Sequence, residues 1–156
     1  MSASGSGKTC RNFCSMKLTS IPHIESDDII TDLNLRENQL ISLKGLPTIP
    51  TLKTLHIEGT LIKNFENTSA QPNLEFLFVE NTPFSQYELF DLMAVIVIGD
   101  KLTHVNGHTI KESTKILALE LRETLYHYLL DGYMLIGLDP IRLINEDTQK
   151  RKTIIL

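Results

Sequence analysis

One sequence motif recurs three times at a constant spacing of 22 residues. In the first copy, Ile30, Leu33, Leu35 and Leu40 occupy the first, fourth, sixth and eleventh positions, and these positions are also apolar in the two later copies. The apolar residues of the later copies are Leu52, Leu55, Ile57 and Ile62, then Leu74, Leu77, Val79 and Phe84. Such a period is typical of repeat proteins, in which each short unit buries its apolar face by stacking on its neighbours. We therefore expect a stack of repeats.

A fourth, degenerate copy precedes these three. Phe13, Met16, Leu18 and Ile21 fall on the same frame one period earlier, but Arg11 stands at a position that is apolar in the other copies. Terminal repeats of such stacks are commonly atypical, because one of their sides has no neighbouring repeat. The first unit is therefore expected to cap the N-terminal end.

The spacing within each motif predicts a short β-strand. An apolar-x-apolar segment points alternate side chains inward and outward, which suits strands stacked in parallel about 4.8 Å apart. Leu43, Leu46 and Ile49 continue the apolar spacing between two successive strands. The predicted fold class is α/β, a short horseshoe-shaped solenoid with a parallel sheet on its concave side.

This pattern resembles that of the leucine-rich-repeat family, and specifically its short intracellular subclass with repeats of 22 residues. In that family an Asn at the ninth position of the motif satisfies backbone groups where the chain turns. Asn38 stands there in the first full copy, and Thr60 and Thr82 stand there in the next two. A hydroxyl can make part of the hydrogen bonds of an amide. Proteins of this kind are typically recognition or adaptor subunits.

The segment after the third copy resembles the C-terminal cap of intracellular leucine-rich-repeat proteins. It combines an apolar helical spacing after Tyr87 with the turn Asn106-Gly107 and with Ile110. Asn and Gly both supply the positive φ angles that a tight turn needs. A cap of this kind covers the core and the open strand edge of the last repeat.

A helical extension is expected beyond the cap. Leu117, Leu121, Leu125 and Leu129 recur every four residues, and the helix is predicted to stop at Gly132. The apolar remainder either packs on the cap as extra core, which we favour, or covers the concave sheet, or docks onto a partner or a second copy. The predicted organisation is a flexible N-terminus (1–9), repeats (10–86), a cap (87–112) and a helical C-terminal extension (113–156).

The outward strand positions form the candidate binding surface. The candidate partner-binding residues are Asn34, Arg36, His56, Glu58, Phe76, Phe78 and Glu80. Phe76 and Phe78 are the most informative pair, because two neighbouring aromatic side chains on the solvent side of a sheet are unusual without cover. They are either anchors of an interface or stability residues that the tail or the cap covers.

The resemblance implies a noncatalytic protein-interaction module, an adaptor or regulatory subunit that binds a partner on the concave sheet, and the composition agrees with it. A net charge of -4 and a pI near 5.7 disfavour binding to nucleic acid or an anionic membrane. No apolar stretch reaches the roughly 20 residues of a membrane helix, and no secretory signal is recognisable, so we expect a cytoplasmic protein. The basic run Lys150–Lys152 leaves a nuclear location open. No cofactor is expected.

The sequence contains weaker signals for two other functional classes and for a metal site. Gly5–Thr9 resembles the end of a nucleotide-binding P-loop, but Ser2 replaces its first Gly and no preceding strand is available. The apolar tail could instead drive self-assembly of a structural protein, and a homo-oligomer is compatible with it. His104 and His108 have the spacing of helical zinc ligands, but a turn separates them and no third ligand is apparent, so we expect no metal.

Overall fold

The repeated segments form a parallel sheet in the computed structural model, which describes residues 9–25 and 29–156. The expected flexible N-terminus and the P-loop-like segment therefore lie almost entirely outside the described residues. The parallel strands are β1 (Cys10–Asn12), β2 (Asp32–Asn34), β3 (Thr54–His56) and β4 (Phe76–Phe78). Their register follows the sequence period, because Arg11 pairs with Leu33, Leu33 with Leu55, and Leu55 with Leu77.

Each strand is short because the chain turns out of the sheet directly after it. Asn38, which follows β2, stabilises these turns at the N-terminal end of the sheet. Its side-chain nitrogen lies 2.8 Å from the carbonyl oxygen of Phe13 and 3.0 Å from that of Leu35. Its side-chain oxygen accepts hydrogen bonds from the backbone N–H groups of Met16 and Leu18. One buried amide thus holds two successive repeats together.

The two threonines at the equivalent position make a smaller set of bonds. Thr60 donates to the carbonyl oxygen of Ile57 at 2.8 Å, and Thr82 donates to that of Val79 at 2.6 Å. Both side chains are buried. A single hydroxyl therefore replaces part of the amide network, as expected from the sequence.

The cap follows the last repeat. It contains a 3₁₀ turn (Phe84–Gln86), α1 (Phe90–Val97), and the strands β5 (His104–Val105) and β6 (His108–Thr109). Strand β5 extends the parallel sheet beyond β4, and β6 pairs antiparallel with β5. Asn106 and Gly107 have φ angles of 50° and 87°, so they form the predicted tight turn.

A long helix, α2 (Glu112–Leu130), packs on α1 through its leucine stripe. It stops where the sequence predicts. Gly132 adopts a φ of +95°, its N–H donates to the carbonyl of Leu129, and the N–H of Tyr133 donates to the carbonyl of Tyr128. This pair of bonds is a Schellman motif, which requires a left-handed residue directly after the helix.

The expectation of a helical extension is wrong beyond α2. The remaining chain forms an antiparallel sheet, the tail sheet, with the strands β7 (Met134–Leu138), β8 (Ile141–Asn145) and β9 (Lys150–Ile154) in that order. Ile141 and Leu143 are buried and alternate with the exposed Arg142, so they suit one face of a strand. Asn145 ends β8 by accepting hydrogen bonds from the backbone of Asp147 and Thr148, which closes a turn.

The tail sheet packs against the cap and the flank of the repeats. The backbone N–H of Leu135 donates to Sδ of Met93 in α1, and the ammonium group of Lys63 lies 2.6 Å from the Asp147 carboxylate. Leu135 and Leu143 are buried in the common core. The tail is therefore extra core beside the cap, the arrangement favoured from the sequence. In the described part of the chain, no helix is both long and apolar enough to span a membrane.

Candidate functional site

We define the outer sheet face as the outward side chains of β2 to β5, together with the side chains that lie two positions after the last residue of β2, β3 and β4. Strand register places them in three columns across the sheet. The columns are Asp32, Thr54, Phe76 and His104; then Asn34, His56 and Phe78; then Arg36, Glu58 and Glu80. The face therefore brings together all seven candidate partner-binding residues.

Two stacked pairs of aromatic rings cross this face. The His56 and Phe78 rings are stacked with centroids 4.6 Å apart and planes inclined by 8°. The Phe76 and His104 rings are stacked at 5.2 Å with an inclination of 25°. Each phenylalanine is half-buried.

His104 was missed as a member of this surface by sequence reasoning, which considered it only as a metal ligand. The cap supplies it, because β5 continues the parallel register and pairs His104 with Phe76. The signal was present in the sequence, since the apolar Val105 follows His104 as Leu77 follows Phe76. The cap therefore covers part of Phe76, whereas the tail sheet does not lie over this face.

The charged column contains polar atoms that are buried but poorly paired. A carboxylate oxygen of Glu58 lies 3.9 Å from Arg36 Nη1, and the other lies 3.4 Å from Nδ1 of His56. Neither contact has the geometry of a hydrogen bond. Among the described residues, Nδ1 of His56, Oε1 of Glu58 and Nε of Arg36 are buried without a hydrogen-bond partner. Such atoms are costly to leave unpaired, so they favour a polar ligand at this position.

Asn34 has a local structural function at the edge of this surface. Its side-chain oxygen accepts a hydrogen bond from the backbone N–H of Arg36 at 3.0 Å, and Asn12 does the same for Cys14 one repeat earlier. This side chain therefore shapes the turn that presents Arg36. Its amide nitrogen remains the group that could contact a ligand.

The two histidines of the cap hairpin point to different neighbours. A ring nitrogen of His104 lies 2.9 Å from the Thr103 hydroxyl, while Nε2 of His108 lies 2.8 Å from the Asp91 carboxylate. Within residues 9–25 and 29–156, no three His, Cys, Asp or Glu side chains are grouped as metal ligands would be.

Comparison with known proteins identifies the type of fold. No family model matches the sequence, and no curated protein matches it. Among solved structures, a chain from the Drosophila melanogaster SNF/U2A' complex superposes with a TM-score of 0.50 at 18% sequence identity. The match covers 78% of this chain and 86% of that one. The fold resembles that of a leucine-rich-repeat protein.

Proposed function

We propose that this leucine-rich-repeat-like chain is a noncatalytic protein-interaction module, an adaptor or regulatory subunit inside the cell that binds its partner on the outer sheet face. The repeat length of 22 residues supports assignment to the short intracellular subclass. The aromatic pair of β4 carries the proposal. Phe76 and Phe78 are half-buried side chains of one strand, and half-buried aromatic side chains of this kind are common anchors of interfaces.

The polar column beside these rings defines the chemistry of the partner. Glu58 and Glu80 are acidic, whereas Arg36 lies at the end of the same column. A partner with basic and acidic groups in succession would pair with this column. Donors of the partner would pair with the exposed carboxylate of Glu80, and its acceptors would pair with the part-exposed guanidinium group of Arg36.

The dimensions of the surface suit one partner helix. A sheet of four or five strands at about 4.8 Å spacing offers a platform of roughly 15 to 20 Å, the width of a short helix and its flanking side chains. The solved neighbour also occurs in a complex, that of SNF and U2A'.

The decisive experiment is a comparison of partner capture by four versions of the full chain. The wild type is compared with a Phe76→Ser, Phe78→Ser double variant, with Glu80→Lys, and with Leu61→Ser as the control. Leu61 is an exposed apolar residue outside the outer sheet face. Glu80 is an exposed residue of that face, so its substitution leaves the core intact. Thermal melting establishes which versions remain folded.

We expect the wild type and Leu61→Ser to capture the same specific proteins. Glu80→Lys should lose at least about fivefold in affinity for them, because a rim charge of the wrong sign opposes association. The double variant should lose them entirely. Retention of the same partners by folded Glu80→Lys and by the folded fraction of the double variant would overturn the proposal.

A further inference from the structure

The tail sheet has a second face, opposite to the one that carries Leu143 into the common core. Directly opposite residues of paired antiparallel strands lie on the same face of a sheet. Arg142 therefore shares a face with Thr153, and Ile144 shares it with Arg151. We call the face that carries these four side chains the tail face. Both of its arginines are exposed.

A pocket of about 420 Å³ opens on the tail face. Ile136 and Ile144 line it together with Tyr87 and Arg151. Ile136 is 37% exposed, so the pocket offers apolar surface to a ligand. The hydroxyl of Tyr87 donates to the carboxylate of Glu146, which also lines the pocket. The pocket therefore has room for an apolar side chain directly beside a guanidinium group.

Gly137 positions the second arginine of this face. It pairs with Arg142 across β7 and β8, and the Arg142 guanidinium group lies over it. A Cβ at residue 137 would clash with Nη2 and Nε of that group. The φ angle of Gly137 is not positive, so the backbone conformation does not itself require a glycine. The missing side chain instead leaves the space that the guanidinium group occupies.

The cations of the tail face lack ionic partners. Within residues 9–25 and 29–156, no ion pair joins Arg142 or Arg151 to a carboxylate. Asp147 pairs instead with Lys63, and Glu88 lines the adjoining groove without an ion pair to either arginine. The two arginines are diagonal neighbours, which are about 7 to 8 Å apart in a sheet, so their like charges repel each other. An anion bound between them would relieve this repulsion.

We propose that the tail face binds an acidic segment of a partner protein, in which the side chain of an Asp or Glu stands beside an apolar side chain. The apolar side chain enters the pocket beside Ile136 and Ile144. The carboxylate pairs with Arg142 and Arg151, because guanidinium groups form strong bidentate contacts with carboxylates. The apolar pocket favours a peptide over a nucleic acid, whose affinity depends on many phosphate contacts. The tail face is separate from the outer sheet face, so this inference goes beyond the interaction proposed there.

A titration of the full chain with a synthetic peptide, followed by two-dimensional amide NMR, tests this proposal. The peptide has the sequence Glu-Ser-Leu-Ser-Glu-Ser-Leu and blocked termini, so its carboxylates and leucines lie on one side when it is extended. We expect shifts in the amides of residues 136–144 and 151–153, and weaker binding when salt is added. A peptide with Gln in place of each Glu should bind at least about fivefold more weakly.

Charge variants of β8 and β9 locate the contact. Arg142→Gln and Arg151→Gln should each weaken binding of the acidic peptide about fivefold. Lys152→Gln is the matched control, because Lys152 follows Arg151 in the same strand but pairs with Leu143 on the opposite face. It should change the affinity by less than about twofold, since an exposed charge without direct contact is largely screened. Thermal melting establishes that the variants remain folded.

Three results would overturn the proposal: no shift on the tail face, equal binding of the two peptides, or equal losses for Lys152→Gln and Arg151→Gln. A single-stranded oligouridylate is titrated in parallel. Its binding should be at least about fivefold weaker than that of the acidic peptide. Equal or tighter binding of the oligouridylate at the same amides would show that the tail face binds nucleic acid, and the assignment of an acidic peptide would then be wrong.

Discussion

The imidazole ring of His56 lies flat against the phenyl ring of Phe78, with the centroids 4.6 Å apart. The two residues face each other because β3 and β4 pair in parallel with a register of one repeat. The same ring of His56 reaches towards Glu58, with its Nδ1 3.4 Å from the carboxylate. The aromatic and charged parts of the outer sheet face are therefore joined through one side chain.

The stacked pair should contribute measurably to stability. A double-mutant cycle with His56→Ala and Phe78→Ala should give a coupling energy of about 0.5 to 1.5 kcal/mol, as for other aromatic pairs. Urea unfolding of the four proteins measures it. A parallel cycle of Phe78→Ala with His23→Ala is the control, because His23 is exposed and pairs with Glu25. Equal coupling in both cycles would contradict the stacking assignment.

Substitution of Asn38 should destabilise the chain strongly. Asn38→Ala removes the partner of two backbone N–H groups and of several carbonyl oxygens, each costing about 1 to 3 kcal/mol if it stays unsatisfied. We expect a loss of at least about 3 kcal/mol in the free energy of unfolding. Asn73→Ala is the matched control, since Asn73 makes exposed hydrogen bonds, donating to the carbonyl of Pro50 and accepting from the ammonium group of Lys101, and should cost less than about 1 kcal/mol. Similar losses for both variants would disprove the bridging function of Asn38.

Alanine at Gly132 should destabilise the end of α2 by about 1 to 2 kcal/mol, because the Schellman motif needs a left-handed residue there. A Cβ at this position would lie at the ordinary contact distance of 3.4 Å from the side-chain nitrogens of Asn64 and Asn145, so the loss comes from the backbone conformation. Gly107→Ala is the matched comparison, since Gly107 has a φ of +87° and no atom within 4 Å of its added Cβ. Thermal melts should therefore show similar losses for the two variants, and a loss confined to one of them would contradict the backbone explanation.

The hydroxyl of Tyr87 should ionise only at strongly alkaline pH. Burial raises its pKa, and the hydrogen bond to Glu146 and the charge of that carboxylate raise it further. The folded chain therefore keeps this proton after an unfolded tyrosine, with a pKa of about 10, has lost it. The stability gained is fully present below pH 10 and is lost as the pH rises through the folded pKa.

An ultraviolet titration of the wild type and Tyr87→Phe isolates this group. Their difference spectrum should show no phenolate between pH 9 and about 10.5, where a tyrosine with an ordinary pKa already titrates. Glu146→Gln should move the late ionisation to lower pH without removing it. An ordinary tyrosine titration in the difference spectrum would show that the phenol is not held by Glu146.

The register of the strands was predictable because the same apolar pattern recurs in every repeat. A shift of one residue would turn Leu33, Leu55 and Leu77 out of the core together, so the pattern allows one register only. The same alternation places the outward strand residues Asn34, His56 and Phe78 in one column of the sheet. The stacking of His104 on the outer sheet face was harder to predict, because His104 reaches the face only through the pairing of the cap strand β5 with β4.

The tail sheet was not predictable from its apolar content alone. Met134–Leu138 and Ile141–Asn145 are five-residue segments, and such short apolar runs fit a buried helix or a strand equally well. The available signal for a strand end was Asn145. Its side-chain oxygen accepts a hydrogen bond from the backbone N–H of Asp147 and so closes a turn after β8. In α2, by contrast, the leucine stripe extends over several turns, so its period and its stop at Gly132 could be recognised.

The contact between Lys63 and Asp147 connects residues 84 positions apart, whereas neighbouring repeats pair at a separation of 22. Strand-to-strand stacking therefore closes small loops and can form early in folding, while docking of the tail closes a large loop and is slower. Once docked, the tail ties the second full repeat to the far end of the chain. We therefore expect an array that would otherwise fray inward from its last unit to melt in one cooperative step, with the outer sheet face persisting until the whole molecule unfolds.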